Sequence, residues 1–250
     1  HIRREKATSN ICTAQSLLAI ISSFYAIYHG SFGLTKIAKR LVELRINLEA
    51  SLSQLGFKIS DGIRFDSFDV YSEDSYKIHS EALKNGYNLR ILPLGSTIED
   101  SNGFGISLDE LSDEKEICEI LTFIAKAIGK TEDLKQITFD KDFKIESIPL
   151  RTDAWMQQDI FKDYQSETDL MRYIFQLAEK DFSLVDGMMP LGSCTMKLNS
   201  VAELSPVSWT NLSSIHPFAP STQTRGYSKI ISDLEKWISE IVGLKSVSFQ

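Results

Sequence analysis

The segment Pro190-Leu-Gly-Ser-Cys-Thr-Met-Lys197 has the composition of a place where backbone meets a ligand. Gly192 and Ser193 are small enough for backbone amides to approach an anion closely. Ser193, Cys194 and Thr195 add short polar side chains that can orient a carboxylate or a phosphate. The same string also reads as a tight turn packed by its flanking methionines. Cys194 as a nucleophile would need a base, and no His or Asp adjoins it in sequence, so a small buried side chain is its plainer role. Lys197 as a Schiff-base lysine would need a desolvated amine; a surface or anion-pairing lysine asks for less. In His216-Pro217-Phe218 the proline keeps its predecessor out of helix, so the imidazole stands in extended backbone. There it can stack on or hydrogen-bond a cofactor, or serve the fold. Arg225-Gly226 sets a guanidinium at a helix start, either solvated or docked on a carboxylate or phosphate. His29, in a helix-stop turn, and His79, on a short helix, read as structural.

The elements that must hold these residues follow from periodicity. The 250 residues are 42% hydrophobic, the composition of a soluble globular protein with a substantial core. With 34 acidic against 27 basic residues the net charge is -7, which argues against a nucleic-acid or anionic-membrane binder, because both need a basic face. No uninterrupted apolar run approaches the roughly 20 residues of a membrane span. Even Ile11 to Tyr28 is broken by Gln15, Ser16, Ser22 and Ser23. Cys12, Cys118 and Cys194 lie far apart and make no CxxC pattern, so a reducing compartment is the default.

From an N-cap cluster at Thr8-Ser9-Asn10, apolar positions recur at helical spacing to Tyr28, predicting a long helix with a wide buried face that stops at His29-Gly30. A second helix is predicted over Leu34 to Leu55, ending at Gly56. Strand patterning then runs from Phe57 to Val70 around an Asp61-Gly62 turn. Helix is predicted at Ser75 to Asn85, strands at Tyr87 to Leu92 and Gly105 to Leu108, and helix at Ser112 to Ile128. That order suggests a small α+β domain with its helices on one face of a short sheet. A charged, weakly patterned stretch from Lys130 to Arg151 marks a boundary. Beyond it come a helix over Thr168 to Glu179, a long irregular stretch from Ser183 to Arg225, and a helix over Tyr227 to Val242 with Ile230, Ile231, Leu234, Trp237, Ile238 and Ile241 inward. A closing strand runs to Gln250. An opening without Met and a strand that stops without a turn lead us to expect an internal piece of a longer chain.

Four strings resemble the P-protein family of the glycine cleavage system: HIRREKATSNICTAQSLLA, LVDGMMPLGSCTMKLN, SIHPFAP with the RGY that follows, and DLEKWISEIVGLKSVSFQ. The resemblance implies α/β and α+β architecture: pieces of two halves, each like a type I pyridoxal-phosphate-dependent transferase, with the cofactor in the second half only. On that likeness residues 1–55 are the helical end of the first large domain, 56–130 its small α+β domain, 131–151 a linker, and 152–250 the start of the second, cofactor-bearing half. The implied reaction releases CO2 from glycine on pyridoxal 5'-phosphate and passes the aminomethyl group to the lipoyl arm of H-protein. Gly192, Ser193, Cys194, Thr195, His216 and Arg225 would border that site. The family's phosphate loop and cofactor-anchoring lysine are expected beyond Gln250, so residues 1–250 alone are expected to be inactive. A homodimer at full length, with neither nucleic acid nor membrane as partner, is implied, in bacterial cytoplasm or mitochondrial matrix. Another type I pyridoxal-phosphate enzyme, or a non-catalytic interaction module, stands as the alternative.

Overall fold

A computed structural model of the chain describes residues 15–136, 150–180, 185–187 and 199–249. Helix α1 spans Gln15–Gln54 and leaves helical geometry at one residue, Gly30, with φ 56° and ψ -172°. That backbone is open to glycine almost alone. The predicted stop at His29-Gly30 holds: one helix ends at this kink and a second begins at Ser31 with no loop between them. Past the break, Leu41, Leu44, Leu48, Leu52 and Leu55 lie on one stripe at helical spacing, and all are buried.

Strand β1 (Lys58–Ile59) pairs antiparallel with β2 (Ser67–Tyr71), Ile59 opposite Val70, around the predicted turn. Helix α2 (Ser75–Lys84), strand β3 (Arg90–Leu92), strand β4 (Gly103–Ser107) and helix α3 (Glu114–Ala127) complete the domain. Asp113 caps α3, its carboxylate accepting the Glu116 N–H at 2.8 Å. The sheet runs β1-β2-β4-β3, antiparallel throughout. Alternation on β2 and β4 sends Phe68, Val70, Phe104 and Ile106 into one core with Ile78 and Ala82 of α2, Ile117 and Ile124 of α3, and the leucine stripe of α1. The opposite face is polar: Ser67 and Ser107 share a hydrogen bond of 2.8 Å, and Arg90 reaches across Gly105 to Asp69. A β-carbon on Gly105 would lie 2.5 Å from the guanidinium, so a larger residue there would displace the arginine from this crossing.

Several expectations change. The first arm of α1 is not widely buried: Leu17, Leu18, Ile20 and Ile21 are all about half exposed or more, because few described elements pack on it. By length and composition α1 is also the one helix among the described residues that could cross a membrane. The serines counted as interruptions do not break it, since the Ser22 and Ser23 hydroxyls donate to the Leu18 and Ala19 carbonyls at 2.9 and 2.8 Å. The strand expected from Tyr87 begins only at Arg90, where pairing with Gly105 starts.

The chain divides into two compact units; the described residues through 187 fall in one and those from 199 onward in the other. In the first, helices α4 (Ile160–Asp163) and α5 (Glu167–Ala178) follow a short 3-10 turn, Thr131–Gln136. In the second, the stretch read as irregular holds α6 (Val201–Leu204), a 3-10 turn Ser205–Ser208 and α7 (Thr210–Ser213). A capping box between Ser200 and Glu203 starts it. Helix α8 (Arg225–Val242) ends at left-handed Gly243, as the sequence predicts. Its apolar stripe is open, with Ile230, Ile231, Leu234, Trp237 and Ile241 exposed, because no described element of that unit covers it. Residues 245–249 form no strand; a strand needs a neighbour to complete its ladder, and none is among the described residues.

Candidate functional site

Gly192, Ser193, Cys194 and Thr195, with Lys197 and Cys12, lie outside the described residues. His216 and Arg225 fall in the second unit, nine positions apart, and no hydrogen bond or ring contact joins them.

The turn that Pro217 initiates sets the state of His216. Its Nδ1 accepts the Phe218 backbone N–H at 3.0 Å, its carbonyl accepts from the Ala219 N–H at 2.9 Å, and the Phe218 ring lies 5.7 Å away. An accepting Nδ1 places the neutral ring's proton on Nε2, so the exposed imidazole offers a donor there. Arg225 is the first residue of α8 and is exposed. Its guanidinium adds donors at an end of the helix where backbone N–H groups already favour negative charge. Both residues thus supply donors, which suits a carboxylate or a phosphate ester. Among the described residues no group of three or more His, Cys, Asp or Glu side chains could hold a metal ion.

One positioning contact escaped the sequence reading. The Tyr227 hydroxyl donates to the Leu212 carbonyl, tying the first turn of α8 to the end of α7 and closing the loop that carries His216. Its only signal was its place in the RGY string.

The remaining ionisable clusters serve the fold. His79 is buried, its Nε2 3.2 Å from the Gly103 carbonyl and its ring edge-on to Phe104; burial holds its pKa below the ordinary value, and the Gly103 bond partly offsets this. Glu49 bridges Arg45 at 2.5 Å and Arg64 at 3.0 Å, and so pins the β1–β2 turn to α1. Glu81 is held below the usual carboxylate range by Lys126 first and Lys84 second. Burial, then the Glu119 carboxylate 2.8 Å away, pushes the Tyr87 hydroxyl up to about 12. A groove of about 460 Å³ opens between α1 and α3, lined by Arg40, Asn47 and Lys115, and contains no predicted site residue.

The family model described as glycine cleavage system P-protein matches residues 1–124. Over its whole length the chain is 53% identical to a glycine dehydrogenase (decarboxylating) of Prochlorococcus marinus strain NATL2A. It is 48% identical to one of Synechococcus sp. strain CC9902 and 41% identical to one of Vibrio parahaemolyticus. It spans 26% of the length of each, about a quarter.

Proposed function

Since the chain belongs to the glycine cleavage system P-protein family, we propose that it is part of an enzyme that releases CO2 from glycine and hands the aminomethyl group to the lipoyl arm of H-protein. The observation that carries this reading is identity of up to 53% running through all 250 residues to proteins named glycine dehydrogenase (decarboxylating). In the family's frame the small domain of β1 to β4 belongs to a cofactor-free first half, and residues from about 152 open the half that binds pyridoxal 5'-phosphate. Bound there, that cofactor supplies an electron sink for the pair released with CO2.

The chain's own residues have narrower tasks. The His216 Nε2–H donates to an oxygen of substrate or cofactor, while the bond from Phe218 N–H keeps the proton on that nitrogen. Arg225 neutralises a carboxylate or phosphate at the start of α8. Gly192, Ser193, Cys194 and Thr195 present amides and short side chains to the same group. Glycine and lipoylated H-protein are the partners, and the full-length protein is a homodimer. The relatives matched are bacterial, which supports the bacterial cytoplasm over the mitochondrial matrix.

The test is glycine–CO2 exchange in a full-length relative carrying Thr195→Val or His216→Ala at the matching positions. Each is expected to slow exchange about 10- to 100-fold, the worth of one hydrogen bond to a charged group. Unchanged exchange would remove that residue from the site.

A further inference from the structure

The first arm of α1 is largely open, yet at its break it is covered. Gly30 is buried, and a β-carbon there would fall inside the van der Waals shell of the Phe161 carbonyl oxygen and 2.5 Å from Gln165 Nε2. The Gln165 amide donates to that same carbonyl at 2.9 Å, closing its own turn over the kink. Nearly two turns earlier on α1, Phe24 meets Tyr173 edge-on with centroids 6.3 Å apart, and Tyr173 stacks on Tyr164 at 4.2 Å and 19°.

A glycine break usually ends a helix so that the chain can turn. Here two helices meet at Gly30 with no loop between them, so the glycine makes a kink rather than a connecting turn. An alanine would extend a plain helix with less conformational entropy lost. What the glycine permits instead is a close approach by a foreign backbone, and α4 occupies it.

We infer that the Gly30 kink is a docking seat for the arm formed by Ile160 to Tyr173, with glycine as its floor and the Tyr164–Tyr173 stack as its clamp. The seat lies on the helix that also forms the spine of the small domain, and the arm lies beyond the linker at 131–151. On the two-half reading proposed above, this contact is a joint between the halves, additional to the covalent connection. The docking itself depends neither on that reading nor on a cofactor.

Hydrogen exchange read by mass spectrometry on the 250-residue chain tests it, with Gly30→Ala altering the seat and Tyr173→Ala altering the clamp. Tyr173 is not part of the small-domain core, so its loss leaves that fold in place. Both variants are expected to speed exchange of the amides from 161 to 176 at least tenfold, with β2 and β4 unchanged. Unchanged protection of the arm in both variants overturns the seat. Protection lost from arm and sheet together in both also overturns it, because Gly30 and Tyr173 would then serve the whole fold. Neither outcome bears on glycine–CO2 exchange, so the two proposals fail separately.

Discussion

His79 shows how burial converts a side chain into a pH dependence. Its imidazole stays neutral in the folded chain because the ring is 2% exposed among Phe104 and the helices, while the unfolded chain binds a proton near pH 6.5. A folded pKa held below the unfolded one means that the stabilising contribution is complete above about pH 6.5 and is lost as pH falls through the folded value. Urea unfolding midpoints are therefore expected to fall between pH 7.5 and 5.5, and His79→Gln to fall less over the same interval. Equal slopes for the two proteins would show that His79 carries none of the effect. His216 is a contrasting case: exposed, with its tautomer set by one backbone bond, it has a donor to offer rather than a core to satisfy.

The leucine stripe of α1 is what lets three helices share one sheet. Leu48 is fully buried in the core that α1 shares with α2, α3 and the sheet, so truncating it leaves a cavity. Leu48→Ala is expected to cost about 2–5 kcal/mol in urea unfolding, the range for a leucine cavity that relaxes only partly. A loss below about 1 kcal/mol would mean that α1 is peripheral to the domain. The ion pairs around this core orient rather than stabilise. Glu49 holds two arginines from different segments, and Arg40 clamps the 110–112 loop through two carbonyls. Helix α8 has the same amphipathic pattern as α3 but a bare face, so its period alone does not say whether a partner is present.

The chain holds a well-packed α+β domain and further segments whose apolar faces stay open, and it spans 26% of the length of the relative it matches at 53% identity. On the reading proposed above, which expects the family's anchoring lysine beyond Gln250, the purified 250-residue chain is expected to show no pyridoxal-type absorbance band reducible by borohydride. Such a band would contradict that placement. The amino-acid sequence by itself determined the elements of the small domain and their ends, because hydrophobic period and glycine stops are local: α2, α3 and the β1–β2 hairpin stand within a few residues of where they were expected. It also carried the family resemblance, through strings such as HIRREKATSNICTAQSLLA within the matched residues 1–124, and with it His216 and Arg225 as candidates. Only the tertiary structure decided that β4 lies between β2 and β3, that the two helices meeting at Gly30 have no loop between them, and that α4 sits on the kink. The physical reason is common to all three. Each depends on which residues far apart in sequence come into contact, and neither the period of one segment nor the propensity of one residue contains that choice.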